Sequence, residues 1–350
     1  MIPSLTTAGS TLESVTRGRV RRARRRSTVI VVLAVLVVAV FVLSLMVGKT
    51  FYPLGDVWRV VLGQDVPGAS FTVGRLRLPR AVLAVVAGMS FGLAGVTFQT
   101  MLRNPLASPD IIGISSGAGA AAVFAIVMLG LSGTAVSVVA IVAALGVSTL
   151  VYLLSFKGGV AGTRLILIGI GVAAMLDSVV SYVLDQAPDW DLQEAMRWLT
   201  GSLNGTDWNQ VLPVVVALLL IGPVLLSQAE NLALFQLGDD TASALGVRVN
   251  RTRLLAVTAA VGLIAFATAA AGPIAFVAFL CGPIAARLVG PNGSLLLPSA
   301  LVGALLVLVA DLVGQFLLGT RFPVGVVTGV LGAPYLVYLI VRTNRAGGSL

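Results

Sequence analysis

About ten stretches of close to twenty apolar residues, separated by short polar connections, dominate this 350-residue chain and leave few folds open to it. They lie at 28–47, 81–102, 113–131, 134–155, 164–184, 211–228, 253–271, 273–289, 295–318 and 324–342. Each is long enough to cross the hydrocarbon core of a bilayer as a helix. In lipid the backbone must satisfy its own hydrogen bonds, so helices are the form these stretches take. With 57% hydrophobic and only 11% charged residues, the chain lacks the polar surface to dissolve as a globule of this size. The reading is an all-α polytopic membrane protein. A basic tail (1–27) precedes the ten-helix domain (28–345), and a short C-terminal tail (346–350) follows it.

The formal charge of +9 invites a nucleic-acid reading, but its distribution speaks against one. Seven arginines crowd into RGRVRRARRR, from Arg17 to Arg26, directly before the first apolar stretch. Such a block is held in the cytosol by the positive-inside rule and favours anionic lipid headgroups. An even helix count returns the C-terminus to the same side. Of the 23 Lys and Arg, sixteen then fall on the cytosolic side and seven outside. The same run is too long for a signal peptide, lacks a small-residue cleavage site and is followed by further spans. The sequence contains no histidine and one cysteine, Cys281. It therefore offers no intrachain disulfide and no His- or multi-Cys-based metal site, and no cofactor is expected. Gly48-Lys49-Thr50 imitates the end of a phosphate-binding loop, but Leu43 stands where that loop needs a glycine. Asn204-Gly205-Thr206 fits a glycosylation triplet of the kind that chance supplies.

Three connections carry structure of their own. The external 49–80 contains an amphipathic piece, LGDVWRVVLG, and ends in RLRLPR. The external 185–210 reads DLQEAMRWLTGSL, with Leu192, Ala195, Met196 and Leu199 at helical spacing for a surface helix. The cytosolic 228–253 contains LALFQLGDDTASALGVRVN. Asp239 and Asp240 start a short helix there and Gly246 stops it, predicting about two turns presented to the cytosol. Glycines four apart (Gly88/Gly92, Gly113/Gly117, Gly158/Gly162, Gly325/Gly329) permit close helix contact. Pro105, Pro273, Pro283, Pro323 and Pro334 interrupt or bound helices. Asp177 and Asp311 fall inside spans, where a carboxylate needs a partner or a wet pathway. A structural partner is expected for Asp311 and a pathway position for Asp177.

The run RLRLPRAVLAVVAGMSFGLAGVTFQTMLRNPLASPDIIGISSGAGA, from Arg75 to Ala120, resembles the FecCD/BtuC family of type II ABC importer permeases. So do LFQLGDDTASALGV (Leu234–Val247) and the run from GPIAFVAFLCGPIAARLVG through VADLVGQ to RFPVGVVTGVLGAPYL. The motifs keep the family's order and spacing over nearly everything after Arg75. The resemblance implies ten helices in the BtuC-like arrangement and an inverted relation between helices 2–5 and 7–10. As partners it implies a second permease subunit, identical or paralogous, two cytosolic ABC ATPases and an external substrate-binding protein. The chain itself would be a non-catalytic permease.

By the same resemblance, Leu234, Leu237, Gly238, Asp239, Asp240, Ala244, Leu245 and Gly246 belong to coupling helices seated in the ATPase. Arg77 and Arg80 match external arginines that receive carboxylates of the binding protein. The sequence departs from the family in three places. Gly282-Pro283 replaces a common Pro-His. Gln315 replaces the arginine four residues after the intramembrane aspartate. Arg321-Phe322 replaces the acidic residue before Pro-Val-Gly, and Arg321 is a substitute docking residue. Asp177, Asp311 and Gln315 are the candidate polar groups along a pathway. The wording GDDTASALG and MRWLTGSLNG is nearest the ferric-siderophore branch, with cobalamin or haem uptake as the alternative. An ion-coupled secondary transporter would not need the punctuated cytosolic helix. An intramembrane enzyme would need a convergent acid–base cluster that these residues do not supply.

Overall fold

The computed structural model describes residues 5–155, 162–290 and 293–345. The Gly158/Gly162 pair and the 346–350 tail fall wholly or partly outside them. Among the described residues the secondary structure is helical throughout. In chain order the α-helices are α1 (Leu5–Met46), α2 (Leu54–Val61), α3 (Leu78–Leu102), α4 (Ile114–Val127), α5 (Thr134–Ser155), α6 (Gly162–Asp185) and α7 (Asp189–Thr200). There follow α8 (Trp208–Ser227), α9 (Ala229–Phe235), α10 (Asp239–Ala244), α11 (Val249–Ala271), α12 (Val277–Val289), α13 (Leu296–Phe316) and α14 (Val324–Arg345). Eight helical runs are long and apolar enough to cross a membrane, and α4 and α12 are shorter apolar helices, which together match the ten stretches read from the sequence. Crossings alternate in direction. The basic end of α1, the C-terminal end of α3, the α9–α10 pair and the C-terminal end of α12 therefore share one face, here the N-terminal face. α2 and α7 lie on the opposite face.

α3 is the axle of the fold. It packs against α8, α11, α12 and α13, and 83% of its membrane window is buried. A strip of glycines makes this possible. A Cβ on Gly88 would lie 2.4 Å from the Gly303 carbonyl oxygen, on Gly92 2.2 Å from that of Ser299, and on Gly95 1.8 Å from that of Ala278. At these points backbone meets backbone, the approach that small residues permit between membrane helices. α1 lies against α13. α6 and α14 stand at the periphery, with only 11% and 33% of their membrane-spanning segments buried.

Two elements differ from the sequence reading at their ends. α1 continues for 23 residues before the apolar stretch, so the arginine block is helical. Arg25 donates to the Leu288 carbonyl at the end of α12 (3.2 Å), and Arg26 to that of Ser294 (2.6 Å), tying the basic helix to the α12–α13 turn. The RLRLPR stretch is no loop: Ser70–Arg77 forms a π-helical run that passes directly into α3, with Pro79 at the junction.

α4 and α12, at 14 and 13 residues, rise only ~20 Å at 1.5 Å per residue, short of the ~30 Å hydrocarbon core. They are the third and eighth crossings and so run in opposite directions. Each begins just after a residue in the left-handed region, Gly113 (φ 71°) and Phe276 (φ 63°). The eighth crossing therefore starts at Val277, four residues later than the sequence suggested. A side chain on Gly332 of α14 would strike the Phe276 ring, so that glycine makes room for the turn.

Candidate functional site

On the N-terminal face, α9 and α10 form a helical pair between α8 and α11. α10 begins at Asp239 and has one and a half turns, against the two expected. Its stop is a double hydrogen bond: Gly246 (φ 90°) donates to the Ser243 carbonyl and Val247 to that of Ala242. Buried Val247 and Ala242 seal this closure, in which a left-handed glycine is the natural residue. α9 is a second short helix in the same connection. Leu232, Phe235 and Ala242 point inward, while Leu237 and Leu245 are 59% and 58% exposed. Gly238 (φ 104°) supplies the turn between the two helices. Leu234 is half-buried, and Asp240, Ala244 and Gly246 are exposed. The pair thus offers two leucines and a polar rim while its inner face is fixed in the core.

Asp239 is held from two sides. Arg253, in the first turns of α11, donates to Oδ2 at 2.6 Å, and Arg103, just past α3, forms a close ion pair with Oδ1. Arg103 also donates through Nε to the Phe235 carbonyl at 2.8 Å, and the Arg253 guanidinium lies 5.7 Å from the Phe235 ring centre. Partial burial pushes the Asp239 carboxyl up, but the hydrogen bonds and charges of Arg253 and Arg103 outweigh this and hold it below the usual carboxylate range. A cavity of about 210 Å³ adjoins the cluster, lined by Met101, Tyr152 and Leu165 as well as the charged groups.

Near the opposite face, Arg77, Arg80 and Arg321 have different surroundings. Arg80 grips Asp311 of α13 with Nε (2.9 Å) and a terminal nitrogen (2.6 Å), and donates to Asn204 Oδ1 at 2.5 Å. Gln315, one turn after Asp311, donates to its second oxygen at 2.7 Å. Asp311 therefore has the partner that its place in a span demands, together with Gln315. Arg77 is engaged by the carbonyls of Leu45, Met46 and Thr50 at 2.7 to 2.9 Å and lies 5.1 Å from the Tyr52 ring centre. Gly48 lies beneath that guanidinium, where a side chain would collide with it. Arg321 is exposed. Asp177 is exposed on the outer side of α6, in a stretch with Ala174, Ser178 and Ser181.

The sequence reading missed two groups that shape these sites, Arg103 and Gln99. Gln99 Nε2 donates to the Phe279 carbonyl at 2.9 Å, the acceptor stranded because Pro283, four residues on, has no N–H. Gly282 leaves the room that the carboxamide occupies. The sequence carries one local hint of this pair, a glutamine inside one apolar stretch and a proline inside another, and no signal that the two stretches meet.

Comparison with known proteins fits this architecture. The ferric enterobactin transport system permease protein of Escherichia coli is 39% identical over 301 residues, 85% of this chain and 91% of that one. The achromobactin transport system permease protein of Dickeya dadantii is 39% identical over 314 residues, 89% and 90% of the two chains. A solved structure described as a metal-chelate type ABC transporter in an inward-facing conformation is 31% identical, with a TM-score of 0.81 over 90% of this chain and 99% of that one. The model of the FecCD transport family matches residues 36–342, from within α1 to near the end of α14, and the chain belongs to that family.

Proposed function

We propose that this chain is the membrane-spanning permease subunit of an ATP-driven importer that takes up iron(III)–siderophore complexes. The observation that carries the reading is the α9–α10 pair: a capped helical projection between two crossings, anchored by Leu232, Phe235 and Ala242, that presents Leu237 and Leu245 outward beside a polar rim. An ATPase subunit seated on them accounts for both the exposure and the caps. In this reading the N-terminal face is cytosolic and ATP is hydrolysed on a separate subunit. A second permease subunit, identical or paralogous, completes the pathway. Asp177, on the unpartnered side of α6, lines that pathway.

The opposite face receives the external binding protein. Exposed Arg321 offers its fork directly to a carboxylate. Arg77 and Arg80 take part beside it, keeping the partners described above, which fix the shape and charge of this face. The siderophore assignment follows the ferric enterobactin and achromobactin permeases named above. A cobalamin import permease of Halobacterium salinarum, 37% identical over 277 residues, marks the alternative cargo.

The test is reconstitution with an ABC ATPase that co-purifies with the chain and an external siderophore-binding protein. ATP-dependent uptake of labelled ferric siderophore, lost in a Leu237→Asp/Leu245→Asp variant together with ATPase co-purification, is the expected result. Uptake that needs no ATPase would indicate a secondary transporter, and uptake of cobalamin alone would reassign the cargo.

A further inference from the structure

Exposed leucines explain how α9–α10 is grasped, but not how a push on them reaches the membrane helices. The polar cluster behind them bears on that question. α10 is only six residues long, and a single carboxylate at its start is shared between Arg103 and Arg253. Those arginines belong to different parts of the core. Arg103 terminates α3, the most enclosed helix, and Arg253 sits near the start of α11, which packs along α3, α5 and α8. Arg103 also takes the left-handed conformation (φ 50°), unusual outside glycine, and its side chain is tied at both ends of its fork. The clamp thus has two arms. One holds the Phe235 carbonyl at the end of α9, and the other holds the Asp239 carboxylate at the start of α10. A cavity of about 210 Å³ beside it leaves space for the neighbouring side chains to shift.

We infer that Arg103, Asp239 and Arg253 form the mechanical link through which displacement of α9–α10 is passed to α3 and α11, with Asp239 as the positioning residue that joins them. The inference rests on the permease reading given above. It assigns the leucines and the charged cluster separate tasks, the leucines binding the ATPase and the cluster transmitting its motion. Asp239 suits the second task because it stays ionised and is engaged by both arginines, whereas Asp240 next to it is exposed. Three charged groups, each with at least two contacts, move as a unit in a way that a flexible loop cannot.

The experiment uses the complete transporter in liposomes and reads three quantities: ATPase co-purification, ATP hydrolysis, and cargo moved per ATP. Arg253→Gln should leave co-purification and hydrolysis near wild type while cargo per ATP falls about tenfold, within the usual range of coupling between sites, and Asp239→Asn should show the same fall in cargo per ATP. Asp239→Asn/Arg253→Gln should lose no more than the worse single variant, because both remove the same joint. Arg103→Lys, which keeps the charge but cannot hold carbonyl and carboxylate with one planar fork, should fall between. It also provides the reading if Asp239→Asn fails to accumulate. Unchanged cargo per ATP in these variants would overturn the link. Loss of ATPase association in Asp239→Asn would also overturn it, placing the carboxylate at the partner surface instead. If Leu237→Asp/Leu245→Asp keeps both its ATPase and its uptake, the permease reading of α9–α10 itself fails, whatever Asp239 does.

Discussion

Arg80 and Asp311 stand 231 residues apart in sequence and meet through a two-pronged ion pair that joins α3 to α13 near the face opposite the N-terminus. The Arg80 and Asp311 side chains are 16% and 6% exposed, so the attraction acts largely out of water. Removing one partner leaves the other charge buried and alone. Arg80→Met or Asp311→Leu alone should therefore destabilise the folded protein by about 3–5 kcal/mol. Replacing both partners, as Arg80→Met/Asp311→Leu, should cost much less, because the desolvation cost disappears with the charges. Unfolding in mixed detergent micelles, measured for wild type, both singles and the double, checks the expected non-additivity.

The Gln99–Phe279 bond makes a second prediction. Gln99→Leu strands the Phe279 carbonyl inside the bundle and should cost about 1–3 kcal/mol. Gly282→Ala drives a methyl into the Gln99 carboxamide oxygen, 1.8 Å away, and breaks the same bond by another route. The two changes together should cost less than their sum in the same unfolding measurement.

Close backbone contact along α3 is sensitive to volume at chosen points. Gly88→Val, Gly92→Val or Gly95→Val forces side chains into backbone atoms of α12 or α13 and should cost about 1–3 kcal/mol or more. Gly329, with nothing within 4 Å of an added Cβ, should accept alanine with little change. Accumulation and thermal stability in detergent distinguish the two sets.

Membrane orientation can be read with single cysteines at exposed positions in a Cys281→Ser background. Cysteines replacing Lys49 and Asp189 should react with an impermeant thiol reagent in intact cells, and one replacing Ser243 only after the cells are opened. Labelling of Ser243→Cys from outside would reverse the assignment of faces.

Span lengths were legible in the sequence because they answer to one physical variable, the thickness of hydrocarbon that an apolar run must fill. α5 was placed to the residue, and α10 was delimited by its own end signals, Asp239 and Gly246. The partners of Arg80 and Gln99 were not legible, since they lie 231 and 180 residues away and nothing local encodes which helices meet. The expectation that Asp311 needs a partner came from the cost of burying charge, whereas the identity of that partner came only with the packing. The helical state of Arg17–Arg26 was missed for another reason. Charge dominated the reading of that block, while arginine is itself a good helix former and continues a helix already nucleated by the span beyond it.

The central place of α3 has a consequence for how the protein is made. Its neighbours α11, α12 and α13 are encoded far downstream, so the helix enters the bilayer long before the surfaces it will touch exist. At synthesis rates of about 5–20 residues per second, the 231 residues between Arg80 and Asp311 take roughly 10–45 s to add. During that interval Arg80 must remain at a water-accessible edge, and the glycine strip faces lipid or a temporary companion. Completion of α13 lets the arginine move inward and the strip close, so the last third of the chain decides whether the first third is ever properly housed.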